Sequence, residues 1–185
     1  MRVLSVNVGT PHEISRSRGK AIHSAIFKKP IRGPVIARRL NLEGDRQADL
    51  SVHGGEDKAV YAYPSEHYEY WKEKFPRMDM PWGTFGENLT TEGLLEEAVR
   101  IGDRFIIGSA QFAVTQPRLP CYKLGIRFEI NNMVRLFLES ERIGFYLKVL
   151  IEGQIEAGNV IKLVKANPDS ETITTIVRRV KRNAV

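Results

Sequence analysis

Short runs of β-branched and aromatic residues, each stopped by a glycine, recur along the second half of this chain and constrain its fold more than any other feature. Gly102-Asp103 leads into Phe105-Ile106-Ile107, Gly108-Ser109 supplies a turn, and Phe112-Ala113-Val114 follows. That spacing predicts a β-hairpin. Phe145 to Ile151 and Val160 to Val164 read as two further strands, set apart by Gly153 and Gly158. Nearer the start, Arg2 to Val8 places Val3, Leu4, Val6 and Val8 among small polar residues and reads as a first strand, with another at Val35-Ile36-Ala37. Residues 11–33, broken by Pro11, Gly19, Pro30 and Gly33, read as loop.

Helical spacing occurs in three places. Pro64 fits the first turn of a helix along which Tyr68, Trp71 and Phe75 recur. Met133, Leu136, Phe137 and Ser140 share one side of a helix over 129–140. Ile173, Ile176, Val177 and Val180 form an i, i+3, i+4, i+7 stripe for a helix over about 170–182, opened by Asp169, Ser170 and Glu171. Many short strands and few helices predict a mainly β fold with α, a β-barrel carrying helices at its rim. A doubly wound parallel sheet needs regular strand–helix alternation, which is missing. Neither Gly-x-Gly-x-x-Gly nor the P-loop pattern occurs, so dinucleotide and P-loop folds are not indicated.

A chain of 185 residues is enough for one packed core. With no repeat, low-complexity tract or linker to divide it, one domain over 1–185 is expected. No apolar run reaches bilayer length, and the start lacks the apolar stretch of a secretory leader. The single cysteine cannot form an intramolecular disulfide and suits a reducing compartment, so a cytoplasmic protein with no membrane contact is expected. The net charge of +6 is uneven, with nine Lys and Arg against Glu13 alone in residues 1–40. Such a face attracts phosphates. Nucleic acid is a poor candidate for it, because no stacking motif or helix-turn-helix signal accompanies the charge.

Three segments are too polar and glycine-rich for plain connections. Residues 42–60 place five acids, Arg46, Lys58 and His53 around Gly44, Gly54 and Gly55. Glycines admit a ligand to backbone N–H groups, and Arg46, His53 and Lys58 can pair with a phosphate. In Thr84 to Thr90, Glu87 and Asn88 suit the edge of a heterocycle, although a capping turn explains them equally well. In Val114 to Leu124, Cys121 follows a proline-bounded loop between Arg118 and Lys123. Neighbouring cations favour the thiolate, the form that binds soft or borderline metals. No His-Glu-x-x-His or Cys-x-x-Cys supports zinc, whereas a Cys121–His53 hydrolase pair stays open.

Together these segments resemble the MOSC family, named for the C-terminal domain of molybdenum-cofactor sulfurase. The resemblance rests on Val8-Gly9-Thr10-Pro11, Gly33-Pro34-Val35, Gly44-Asp45-Arg46-Gln47-Ala48-Asp49, His53-Gly54-Gly55 and Asp57-Lys58-Ala59-Val60. It extends through Tyr63-Pro64, Phe85-Gly86-Glu87-Asn88-Leu89, Gln116-Pro117-Arg118-x-Pro120-Cys121 and Gly144-Phe145-Tyr146. The most similar branch is that of small bacterial reductases of N-hydroxylated bases such as N-hydroxylaminopurine. The resemblance implies a β-barrel-rich fold, a pterin-dithiolene molybdenum cofactor (molybdopterin), and a cysteine ligand to the metal at Cys121. It also implies reduction of N-hydroxylated compounds to amines, with electrons from a separate flavin- or haem-containing donor. On that reading Arg46, Gly54, Gly55, Lys58, Glu87, Asn88 and Arg118 hold the cofactor, and Asp49 or His53 relays protons. The alternative is a cofactor or sulfur carrier using a Cys121 persulfide without turnover. Two features depart from the wider family: the extra N-terminal domain of eukaryotic relatives is missing, and the region after Gly158 is short.

Overall fold

A computed structural model describes residues 1–17, 19–48 and 54–183. Its main element is an eight-stranded sheet in the order β12-β8-β9-β10-β6-β7-β1-β4. These strands are β1 (Arg2–Val8), β4 (Lys29–Pro30), β6 (Val60–Pro64), β7 (Leu89–Glu92), β8 (Arg104–Ile107), β9 (Ala110–Pro117), β10 (Phe145–Ile151) and β12 (Ile161–Lys165). Two small pairs lie outside the ladder: β2 (His12–Ser17) with β3 (Lys20–Ser24), and β5 (Val35–Ala37) with β11 (Gly153–Ile155). Every pairing is antiparallel except β6 with β7, which are parallel. A parallel pair needs a crossover, and helix α1 (Glu66–Lys74) lies within it. The remaining helices are α2 (Tyr122–Phe128), α3 (Met133–Ser140) and α4 (Ile173–Asn183). The fold is therefore mainly β with some α. The ladder ends at β12 and β4, while a bridge between Arg2 and Val160 and the bond from Val3 N to Asn159 O join β1 to the segment before β12.

Alternation along β10 assigns the two faces of the sheet. Phe145, Leu147 and Val149 are buried on one face, where Phe145 and Leu147 stand opposite Ala62 and Val60 of β6. Tyr146 lies on the other face, opposite Tyr61. There Tyr63 meets Tyr68 and Phe137 from the helices and also the Tyr61 ring. Tyr63 lies 4.6 Å from Phe85, and Trp71 of α1 lies 5.4 Å from Phe137 of α3, measured between ring centroids. Trp71, Tyr63, Phe85 and Phe137 have no exposed surface, so this cluster carries the large hydrophobic contribution that fixes the helices over the sheet.

Several expectations need correction. Residues 11–33 contain the β2–β3 hairpin, which has charged residues on both faces and packs on little else, so no apolar alternation marks it. Pro64 closes β6 and does not open a helix; α1 begins at Glu66. The helix expected over 129–140 begins only at Met133, and an unexpected helix, Tyr122–Phe128, precedes it; that one ends where Glu129 turns left-handed at φ +56° and Ile130 N bonds back to Gly125 O. The C-terminal helix runs Ile173–Asn183, with Ile173 and Val177 buried. The β8–β9 hairpin turns at Gly108-Ser109, where a Cβ on Gly108 would stand 2.1 Å from Gln154 O, so only glycine fits. No helix among the described residues is long and apolar enough to cross a membrane.

Candidate functional site

On the helical face the sheet leaves a cleft of about 670 Å3 including its open mouth. Its floor is the cross-strand pair Tyr61 and Tyr146, with ring centroids 5.6 Å apart. Its walls come from four segments: Ser24 to Lys28 at the end of β3, Asp45 to Ala48, Gly86 and Asn88 before β7, and Arg118 to Lys123 leading from β9 into α2. Lys58, just before β6, adds to the lining.

Asp45 holds these segments together. Its buried carboxylate accepts bonds from Gly9 N at 2.8 Å, Lys28 Nζ at 2.5 Å and Asn88 Nδ2 at 2.9 Å. Asn88 continues the network: its Nδ2 also donates to Asn7 O at 3.3 Å, and its Oδ1 accepts from Tyr61 N at 3.1 Å. Lys28 and Asp45 are a buried ion pair, and burial pulls the Lys28 ammonium below its ordinary value although Asp45 favours the charged form. Removing one member of such a pair strands the other, so both are fixed parts of the wall.

Arg118 differs. It is 6% exposed, its guanidinium carbon stands 5.2 Å from the Tyr61 ring centroid and 5.8 Å from that of Phe137, and it forms no ion pair among the described residues. Its Nη1 is buried with no hydrogen-bond partner among the described residues. Burial opposes its charge, but Tyr61, Tyr146 and Cys121 together outweigh that and raise it above its ordinary value. Its backbone is pinned by Arg118 N to Gly144 O at 3.2 Å, and Gly144 N in turn donates to the buried Glu96 at 2.7 Å. Gly144 has φ +66°, and a Cβ there would stand 2.4 Å from Ala62 O. Gly144→Ala is therefore expected to lower unfolding free energy by roughly 2–4 kcal/mol, read by chemical denaturation; an unchanged midpoint would rule out this account of how Arg118 is seated.

Cys121 lies on the cleft as the residue before α2, in extended backbone (φ −121°, ψ 168°), with its carbonyl accepting Leu124 N at 2.9 Å. Of the residues singled out in the sequence, Arg46, Lys58, Asn88, Arg118 and Cys121 share this cleft. Gly54 and Gly55 are not among the described residues that line it; they lead into a 3-10 turn at Glu56–Lys58. Asp49 and His53 lie outside the described residues. Glu87 points away from the cleft. Its fully buried carboxylate accepts from Gly83 N at 2.7 Å, Phe85 N at 3.1 Å, Thr90 Oγ1 at 2.9 Å and the Tyr68 hydroxyl. Burial, offset in part by those donors, pushes it above the ordinary carboxylate range. Glu87 thus organises the 83–90 turn, and Asn88 lines the cleft with its amide already engaged by the protein. Sequence reasoning missed Lys28, Asp45, Tyr61 and Tyr146 as site residues.

The described lining carries five bases (Lys28, Arg46, Lys58, Arg118, Lys123) and one acid, Asp45. Such a cleft suits an anionic ligand, and a thiol on its wall offers one donor to a soft or borderline metal within that ligand.

Residues 49–162 match the MOSC domain. The chain is 45% identical over 162 residues to the uncharacterized protein YflK of Bacillus subtilis, covering 88% of this chain and 72% of that one. A crystal structure of YiiM from Geobacillus stearothermophilus superposes with a TM-score of 0.80 at 34% identity, over 98% of this chain and 84% of that one. A Gibberella moniliformis protein named "Reductase" is 34% identical over 170 residues, which cover 90% of this chain but 30% of that protein.

Proposed function

We propose that this chain, which belongs to the MOSC domain family, acts as one MOSC domain over residues 1–185 that reduces N-hydroxylated compounds with a molybdenum–pterin cofactor held in the cleft. The observation that carries the reading is Arg118, a buried guanidinium on the same cleft as the chain's one thiol, with no ion pair among the described residues. A charge placed so deeply is costly unless an anion meets it. A phosphate-bearing cofactor whose metal already has organic sulfur ligands fits this lining, since it asks the protein for cations and one thiolate.

In this reading Cys121 gives the thiolate to the metal. Arg118 and Lys123 balance negative charge deep in the cleft, and Arg46 and Lys58 do so further along its wall. Asp45 and Asn88 keep the walls in register, and Asp49 or His53 relays protons. When bound, the cofactor supplies a two-electron reduction in which R–NH–OH, two protons and two electrons give R–NH2 and water. The electrons come from a separate flavin- or haem-containing reductase. Hydroxylaminopurine-like bases are the proposed substrates. We also read the Arg2–Val160 bridge as the seam at which the sheet curls toward a barrel.

The test is to express the protein in a molybdenum-replete host, assay metal and pterin, and incubate it anaerobically with N-hydroxylaminopurine and a reduced flavoprotein. Stoichiometric cofactor with amine formation is expected. Protein that carries neither metal nor pterin rejects the reading, and a loaded protein without turnover points to the persulfide carrier.

A further inference from the structure

The tyrosines of this face divide sharply by what their hydroxyls do. Tyr61 donates to Ile143 O at 2.8 Å, and Tyr63 donates to Arg142 O at 3.1 Å while accepting from Trp71 Nε1. Tyr68 donates to Glu87. Each is therefore satisfied within the protein, as hydroxyls in such surroundings normally are. Tyr146 is the exception. Its side chain lines the cleft together with that of Arg118, and its O–H meets no acceptor among the described residues. The side chain lines the cleft that Cys121 also lines.

The position of Tyr146 is fixed by register. It pairs with Tyr61 on one side and Gln116 on the other, and its backbone carbonyl accepts from Thr115 Oγ1 at 3.1 Å. Its neighbours Phe145 and Leu147 are fully buried on the opposite face, so the ring cannot exchange faces without moving both into solvent. The cleft thus presents an O–H oriented by strand register, on a lining that also carries the thiol, and suited to an oxygen acceptor on a ligand.

We propose that Tyr146 is a further substrate-binding residue, whose hydroxyl donates to the oxygen of the substrate's N–OH group. The proposal rests on the reductase reading and deepens it. Tyr146 distinguishes the hydroxylated compound, which has that oxygen, from the amine product, which lacks it.

The experiment compares wild type and Tyr146→Phe, both loaded with cofactor. Calorimetry measures binding of N-hydroxylaminopurine and of adenine to each, and steady-state kinetics follows in parallel. Loss of a single oriented donor is expected to weaken binding of the hydroxylamino compound and lower its kcat/KM by about 10- to 100-fold. Adenine affinity, metal and pterin content and Tm should stay at wild-type values. Equal preference for the hydroxylamino compound in both proteins would overturn the role of Tyr146 and leave the reductase reading standing. Loss of pterin or metal from the variant would overturn it too, by making Tyr146 a cofactor contact. Absence of turnover by loaded wild-type protein would overturn the reductase reading, and this inference with it.

Discussion

Cys121→Ser is expected to fold like the wild-type protein and yet lose molybdenum and N-hydroxyl reduction to background. The fold has little at stake there. Cys121 is half-buried, its backbone is extended, and it stands at the cap position of a short helix, where serine is a favoured residue. Unfolding free energy should stay within about 1 kcal/mol of wild type. The metal has everything at stake, because a serine hydroxyl keeps its proton near neutral pH and is a harder donor than a thiolate. Metal analysis after gel filtration, circular dichroism and anaerobic turnover read the three quantities separately. Wild-type molybdenum content in the variant would remove Cys121 as a ligand, and a large fall in stability would make it a packing residue instead.

The sequence reveals elements and site residues where one local force decides them. β1, the β8–β9 hairpin, β10 and β12 are legible because apolar residues and glycines mark them within a few positions, and α4 because Ile173 and Val177 repeat at helical spacing. The β2–β3 hairpin is illegible for the opposite reason. It buries little, so it has no apolar pattern, and its pairing is set by backbone bonds alone. β6 is buried along its whole length, with the sheet core on one side and aromatic helices on the other. Its five residues therefore show no alternation, and Pro64 gives a false helix signal.

The same distinction applies at the cleft. Cys121 and Arg118 are visible in sequence as rare residue types in one proline-bounded loop. Glu87 and Asn88 share a motif that marks the turn itself, since the Glu87 carboxylate is enclosed by four donors and the Asn88 amide binds Asn7, Tyr61 and Asp45. Lys28 gives no signal because its partner Asp45 lies 17 residues away. Tyr146 is hidden within an apolar run, and only the register of β10 against β6 and β9 shows that it faces the cleft.

Arg118→Met is expected to separate stability from function in opposite directions. The guanidinium lies over the Tyr61 and Phe137 rings, with a buried Nη1 that no group among the described residues accepts. Cation–π contact offsets part of the desolvation cost, but a buried charge without a carboxylate is seldom a net gain for the fold. Methionine fills similar volume beside the rings, so the cofactor-free variant should be as stable as wild type or more stable by roughly 1–2 kcal/mol. Cofactor retention should instead fall at least about a hundredfold, the loss expected when a charge-assisted bond to an anion or its outer support is removed. Arg118→Lys keeps the charge without the planar fork and should recover only part of that loss. Chemical denaturation of the cofactor-free proteins and equilibrium dialysis against released cofactor read the two effects. If Arg118→Met instead unfolds several kcal/mol more easily and binds cofactor normally, the guanidinium serves the fold, and the anion-binding reading of the cleft loses its main support. A stable variant that no longer holds cofactor leaves one explanation for a cation buried at this depth, which is the ligand it faces.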